Sequence, residues 1–174
     1  MGYLPTVHGV GDGSGGFVRR PEPFAKDAYV TWAGMLARCY KRERKDFYRY
    51  GAQGVFVSSR WLVFSNFLLD IQTMPGWFSK LEDWTRYHLD KDILGDGQEY
   101  SLAKCCWATI EENNAARYTK QHRIKHISGE EVVIGYPKPF YTERKINQGN
   151  FCAMLRGVVP SASGWRLVET TENA

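Results

Sequence analysis

The chain has 174 residues, 43% of them hydrophobic and 14% aromatic, which is enough for one good core or two small modules and excludes a disordered chain. Its formal net charge of +4 is too small to decide a partner. The sequence has no apolar run of the roughly 18 residues that a membrane span needs, and no apolar signal core at the N-terminus. The four cysteines form no CxxC pair, which is typical of free thiols in a reducing compartment, so we expect a cytoplasmic protein that binds no membrane.

The distribution of charge is more informative than its total. Residues 1–60 carry ten Lys/Arg and five Asp/Glu, residues 61–114 carry four and nine, and residues 115–174 carry nine and five. Basic flanks around an acidic centre are typical of a nuclease, in which basic arms contact phosphates and carboxylates surround a cation. Ordinary solvated surface charge is the alternative interpretation.

The chain begins with a stretch that is rich in Gly and Pro. Residues 1–25 lack apolar periodicity and predict a flexible arm that ends near Pro23. The next apolar residues recur at helical spacing. They predict an amphipathic helix over residues 26–40, with its buried stripe formed by Tyr29, Trp32, Met35, Leu36 and Cys39.

A basic stretch, KRERKDFYRYG, follows this helix. Basic side chains neutralise phosphates, so we expect nucleic-acid contacts from Lys41, Arg42, Arg44, Lys45 and Arg49. The interleaved aromatic residues either stack on bases or pack beneath the loop. These aromatic residues are Phe47, Tyr48 and Tyr50.

A strand and a second helix are predicted next. Residues 54–59, GVFVSS, have the β-branched content of a short strand. Ser59 is the expected N-cap of a helix that carries an apolar face. That face consists of Trp61, Phe64, Phe67, Leu68 and Ile71, and Met74-Pro75-Gly76 ends the helix.

The block over residues 88–118 predicts a strand, a turn, a strand and a capped helix. Gly95 and Gly97 mark the turn, and CCWAT is the second strand. Thr109 and Glu112 have the T-x-x-E spacing of a capping box, which opens a helix through about Tyr118. The order of elements is that of a ββα unit.

The residues of this block resemble the HNH endonuclease family. LDKD stands where the family has its Asp-His element, and KCCWATIEEN stands where it has an N-L-R-W-x-T stretch followed by E-N. The earlier YG-x-x-GV and RW-x-x-FxNF stretches are similar to the segment that precedes this block in phage-encoded HNH homing-endonuclease-like proteins. The resemblance covers roughly residues 29–118.

The resemblance implies a divalent cation, Mg²⁺ or Mn²⁺, bound by Asp90 and Asn113. Lys91 stands at the position of the general-base histidine, and Lys104 at that of the structural asparagine, so the motif is degenerate. A lysine is protonated at neutral pH, which makes Lys91 a poor base but a possible phosphate contact. His88 lies two residues before Asp90 and faces the same side of a strand, where an imidazole can serve as the base. The alternative is that Asp90 is a surface or turn-supporting carboxylate.

The C-terminal segment predicts a small separate module. Residues 122–137 are typical of a β-hairpin, two short helical patterns follow, and GWRLV at 164–168 is a strand. The ending, with Leu155-Arg156-Gly157 and Ser163-Gly164-Trp165, resembles the DNA-binding repeat behind HNH and GIY-YIG domains in intron-encoded endonucleases. The resemblance implies a helix-turn-helix-like module that directs basic side chains to phosphates. In this module we expect DNA contacts from Arg144, Lys145 and Arg156. Nearer the centre of the chain we expect DNA contacts from Lys104, Arg117 and Lys120.

We therefore expect an α+β protein with a flexible arm (1–25), an HNH-like domain (26–120) built on the ββα unit, and an accessory DNA-binding module (121–174). The expected function is that of an HNH-type protein acting on duplex DNA, as a metal-dependent endonuclease with a weakened site. The alternative is a catalytically inactive phage accessory protein that binds DNA, or a host protein as an inhibitor. A structural or packaging component is a third interpretation.

Overall fold

A computed structural model describes residues 6–13 and 23–172. The fold is α+β, as predicted, with several small sheets and helices distributed along the chain. The described residues divide into two compact units, one extending to Asn113 and the other starting at Asn114. Within these ranges, no helix has the length and apolar content required to cross a membrane.

The first unit contains short strands and helices, connected in part by 3₁₀ turns. In chain order these elements are β1 (Thr6–Val7), β2 (Gly11–Asp12), α1 (Ala25–Tyr40), β3 (Phe56–Val57), α2 (Phe64–Asp70), α3 (Trp77–Glu82), β4 (Tyr87–Asp90), β5 (Glu99–Tyr100) and β6 (Cys106–Thr109). The helix α4 (Ile110–Ala116) begins in this unit and ends in the second.

The predicted flexible arm of residues 1–25 falls mostly outside the described residues. Within it, residues 6–13 form an antiparallel hairpin of β1 and β2, and α1 already begins at Ala25. Gly11 is buried, and a Cβ atom there would overlap the side chain of Leu36 on α1. The hairpin therefore lies against the core, which its Gly-rich sequence does not reveal.

Aromatic side chains form the core of the first unit. Trp32, Trp61, Phe64 and Phe67 are each at most 1% exposed, and the Trp32 indole N–H donates to the Trp61 carbonyl over 2.6 Å. Burial of rings of this size is the main stabilising contribution, because hydrophobic stabilisation scales with the apolar area removed from water.

The second predicted helix starts later than expected. Residues 59–62 form a 3₁₀ turn, and α2 follows only after Val63, which has extended backbone angles. The turn brings the Trp61 indole to 2.9 Å from the Asp70 carboxylate. The predicted N-cap at Ser59 is therefore wrong, because this tertiary hydrogen bond and the burial of Trp61 favour a separate turn.

Two pairs of strands position the central block. β3 pairs in parallel with β5, and β4 pairs antiparallel with β6, with Asp90 opposite Cys106. Trp107 also donates its backbone N–H to the Pro75 carbonyl over 2.9 Å. At the start of α4, Thr109 and Glu112 exchange hydrogen bonds, at 2.7 and 3.1 Å, so the predicted capping box is confirmed.

The second unit is a three-stranded sheet with two short helices. Its elements are β7 (Lys120–His126), β8 (Glu131–Ile134), α5 (Lys138–Glu143), α6 (Gln148–Leu155) and β9 (Trp165–Glu172), with β7 central and antiparallel to both neighbours. Asn147 caps α6 by accepting from the Asn150 backbone N–H over 3.0 Å. The core has Phe151 and Ile124 at 0% exposure. Each strand and helix predicted for this segment is present.

Candidate functional site

The candidate site lies where β4 ends and α4 begins. Asp90, the last residue of β4, is 4% exposed. Its Oδ1 accepts backbone hydrogen bonds from Asp92 and Ile93, each over 2.9 Å. Its Oδ2 accepts a hydrogen bond from the side-chain amide of Asn113 on α4, 23 positions along the chain. Two residues that the resemblance assigns to one site are therefore in direct contact.

The oxygens of this pair fit a hard divalent cation. Asn113 Oδ1 is buried and accepts no hydrogen bond from any residue of the described ranges. Two backbone amides occupy Asp90 Oδ1, and Asp90 Oδ2 faces the Asn113 amide nitrogen. A 180° rotation of the Asn113 amide would turn its oxygen towards Asp90 Oδ2, and these two oxygens are then the ligands that the pair offers. Mg²⁺ and Mn²⁺ prefer such oxygens, and Mg²⁺ often keeps several waters and shares substrate phosphates. Residues 6–13 and 23–172 contain no group of three or more His, Cys, Asp or Glu that could hold a metal.

Asp90 also supports the loop that follows β4. Its two backbone bonds close a turn over residues 90–93, as expected for a carboxylate of the turn-supporting kind. The geometry is compatible with both interpretations of Asp90, as a metal ligand and as a turn-supporting carboxylate. Oδ1 holds the turn, and Oδ2 faces Asn113.

Lys91 is a buried ion-pair partner. Its Nζ lies 2.6 Å from Asp92 Oδ1, and its side chain is 9% exposed. Nζ also lies 5.6 and 5.8 Å from the ring centroids of Tyr50 and Tyr100, which is cation–π distance. In this structure Lys91 is a packing element of the fold and not an accessible phosphate contact, because carboxylate and rings surround its charge.

His88 has a different environment from Lys91. It is exposed and lies opposite Ala108 of β6. Strand alternation places it on the same face as Asp90. His88 is therefore the solvent-exposed side chain of β4 that lies nearest to Asp90 on this face and could accept a proton.

The basic segment after α1 presents uncompensated charge. Lys41, Arg42 and Lys45 are exposed, and no carboxylate within the described parts of the chain forms an ion pair with them. Arg44 differs, since it pairs with Asp46 over 2.6 Å.

Two of the three aromatic residues in this segment anchor it. Phe47 and Tyr50 are half-buried, and the Arg38 guanidinium lies 5.4 Å from the Tyr50 ring centroid. Tyr48 is 58% exposed, and its hydroxyl accepts from Arg49 Nε over 2.7 Å. Packing beneath the loop thus accounts for Phe47 and Tyr50, whereas Tyr48 is available for stacking.

A shallow groove of about 330 Å³ lies between α1 and this segment. Its lining includes three small residues of α1, which are Ala33, Gly34 and Ala37. The other lining residues are mostly basic, and they are His8, Lys41, Glu43 and Arg44.

Lys104 is held by acidic neighbours. Its Nζ lies 3.0 Å from Asp96 and 3.2 Å from Glu99. Hydrogen bonds that Lys104 donates to these carboxylates raise its pKa. Its charge is therefore compensated within the protein, which weakens its predicted role as a DNA contact.

The basic residues predicted in the second unit are all exposed. Lys120 lies 3.7 Å from Glu172. The Arg144 guanidinium lies 4.1 Å from the Phe140 ring centroid and is within 3.8 Å of a carboxylate of Glu130. The remaining members of this set form no ion pair within residues 23–172. These are Arg117, Lys145 and Arg156.

Neither Arg38 nor Tyr100 stands out in the sequence, yet Tyr100 lies beside Lys91 and Arg38 lies beside Tyr100. The Arg38 side chain donates to the Tyr100 hydroxyl over 3.4 Å, and its Nε is buried without a partner among the described residues. Burial raises the pKa of Tyr100 well above its ordinary value. One signal was present: Arg38 follows Met35 by three positions and so adjoins the buried stripe of α1.

Comparisons of the chain with protein-family models, with curated proteins and with solved structures find no match.

Proposed function

We propose that the chain is a duplex-DNA-binding protein built on an HNH-endonuclease-like scaffold with a weakened catalytic site. The observation that carries this proposal is the contact between Asp90 and Asn113. The family resemblance assigns these residues to one metal site, and an antiparallel strand pair followed by a capped helix brings them together. The fold of the block is thus compatible with a ββα unit of the HNH type.

The basic segment supports DNA as the partner. A phosphate backbone attracts exposed cations, and release of its counterions drives binding. Lys41, Arg42 and Lys45 supply such cations without internal compensation. The small side chains of the adjacent groove allow a sugar–phosphate chain to approach α1 closely.

Asp90 and Asn113 would hold the divalent cation. When bound, such a cation polarises a phosphate oxygen and increases the acidity of a coordinated water. Asp90 would position it through Oδ2 while Oδ1 keeps the turn rigid. Asn113 would contribute its unpartnered Oδ1 after its amide rotates, since its nitrogen now donates to Asp90 Oδ2. His88 is the candidate proton acceptor, since Lys91 is enclosed by Asp92 and tyrosine rings.

Loss of a positioned base typically lowers a rate by 10²–10⁴-fold. Because the position that resembles the family's histidine holds a buried lysine, we expect slow nicking at most. The same observation favours the second candidate function, that of a protein that binds DNA without cutting it. Nicking of supercoiled plasmid with Mg²⁺ and with Mn²⁺, compared between wild type and His88→Ala, distinguishes them. Metal-dependent nicking that requires His88 supports the weakened enzyme, and its absence despite DNA binding supports the binding protein.

DNA binding itself is tested by the salt dependence of duplex affinity. Arg42→Gln/Lys45→Gln should reduce the slope of log affinity against log salt by about 2, because each phosphate contact contributes about 0.9. Arg123→Gln/Lys125→Gln is the matched control, since it removes the same charges where Glu169 and Glu131 already pair with them, at 3.0 and 2.8 Å. An unchanged slope in the first variant, or equal changes in both, would count against the proposed interface.

A further inference from the structure

The second unit has a pocket of about 750 Å³ beside the end of α6 that the proposed function does not use. Its walls are mainly apolar, and the half-buried thiol of Cys152 is among them. Small-molecule sites typically have volumes of about 300–1,000 Å³ and apolar walls with a few polar groups. The apolar wall residues are Tyr118, Pro137, Leu155 and Leu167.

The polar groups at the floor of this pocket satisfy one another. His122 is 3% exposed, and its ring nitrogens lie 2.7 Å from the Tyr118 hydroxyl and 2.8 Å from the Thr170 hydroxyl. Burial and the nearby charge of Lys120 lower the pKa of His122, so the imidazole is neutral at pH 7. These three side chains therefore carry no charge and both ring nitrogens are already hydrogen-bonded, which favours a ligand with an apolar body.

The rim of the pocket has the opposite character. The exposed side chains of Lys120 and Arg156 lie on it, and among the described residues no carboxylate lines the pocket. Lys120 has a loose ion pair with Glu172, at 3.7 Å, in which both side chains are more than half exposed. Such a pair contributes little and is readily exchanged. Arg156 donates Nε to the Cys152 carbonyl over 3.2 Å, which leaves its terminal nitrogens available for an anion.

We propose that this pocket binds an amphipathic organic anion, with an aromatic or aliphatic body against Leu155 and Leu167 and a carboxylate, phosphate or sulfonate between Lys120 and Arg156. The apolar walls and neutral floor determine the body of the ligand, and the two cations determine its charge. The site lies within the second unit and does not depend on DNA binding.

The full chain can be tested with two fluorescent probes of similar shape. 8-Anilinonaphthalene-1-sulfonate has the predicted anionic group, and N-phenyl-1-naphthylamine lacks it. Lys120→Gln/Arg156→Gln should weaken binding of the sulfonate about tenfold or more, which corresponds to about 1.4 kcal/mol or more. The same variant should change binding of the neutral probe by less than about twofold, because that probe has no charge for the two cations to contact. Glu172→Gln should strengthen binding of the sulfonate, because it frees Lys120. Arg123→Gln/Lys125→Gln, on the same sheet, should change the binding of neither probe.

Alkylation of Cys152 establishes where the probe binds. Burial raises the pKa of Cys39 and of Cys106 to about 11, and that of Cys105 to about 12, so iodoacetamide at pH 7.5 should label Cys152 first. Saturating sulfonate probe should slow this labelling at least tenfold, as measured by peptide mass spectrometry. Binding without protection of Cys152, equal loss of both probes in Lys120→Gln/Arg156→Gln, or protection by single-stranded DNA but not by the sulfonate would overturn the proposal.

Discussion

The Asp90→Ala substitution tests the candidate site most directly, because it removes a carboxylate that accepts three hydrogen bonds. Each bond to a charged acceptor contributes about 1.5–3 kcal/mol, and the half-buried amides of Asp92 and Ile93 regain part of this from water. We therefore expect the free energy of unfolding to fall by about 3–4 kcal/mol, a large part of the stability of a small domain. Urea titration followed by tryptophan fluorescence measures this change.

Asp90→Asn is the matched control, since it keeps an acceptor for the turn but removes the negative charge. Asn113 Oδ1, which has no donor among the described residues, can accept from the new amide after rotation of its own amide. We expect a loss of less than about 1 kcal/mol, within the range of a single hydrogen bond. Stabilisation of the protein by Mn²⁺ should disappear in this variant, because the carboxylate ligand is gone.

Two outcomes would refute this reasoning. A free energy of unfolding in Asp90→Ala equal to that of wild type would show that the turn and the Asn113 contact contribute nothing. Equal destabilisation of Asp90→Ala and Asp90→Asn would show that charge, and not the arrangement of acceptors, stabilises the loop. A double-mutant cycle with Asn113→Ala isolates the Asp90–Asn113 contact, for which we expect a coupling energy of about 1–2 kcal/mol.

Three further predictions follow from the geometry. Lys91→His should not increase plasmid nicking and should cost about 1–3 kcal/mol in urea unfolding, because it breaks the contact with Asp92; faster nicking would place position 91 in the active site. Because the pKa of His122 is lowered in the native state, the unfolded chain takes up the proton first, so wild-type stability should fall as pH drops below about 6.5. In His122→Gln this pH dependence should be weaker, and an unchanged dependence would refute the assignment. Gly76→Ala should lower the free energy of unfolding by at least about 2 kcal/mol, because φ at this position is +83° and a Cβ would overlap the Trp107 carbonyl. Thermal unfolding measures this loss.

The sequence predicted those parts of the fold that depend on local chemistry. The capping box at Thr109 and the helix of residues 26–40 rely on side-chain spacing, which is visible in a linear sequence. The later start of α2 was missed because a contact between Trp61 and Asp70 decides it. The helix α3 was also missed, since it begins immediately after the Gly76 at which a helix was expected to end.

The candidate site was predictable in part for the same reason. Contact between Asp90 and Asn113 follows from pairing two strands and capping the helix, so a motif was enough to bring them together. The environment of Lys91 was not predictable, because Tyr50 comes from a distant loop and Tyr100 from a strand paired in parallel with β3. Burial of a lysine depends on such long-range neighbours and leaves no local pattern.

The enclosure of Lys91 has a consequence for the evolution of such a site. On the proposed HNH origin, a histidine introduced at position 91 would leave Asp92, Tyr50 and Tyr100 around a side chain that is shorter and largely neutral at pH 7. A single Lys91→His substitution would therefore lower the stability of the protein, and selection would remove it before any gain in nuclease activity appeared. On this proposed origin the lysine at position 91 would be kept for stability, and nuclease activity would have to be regained through the exposed His88 instead.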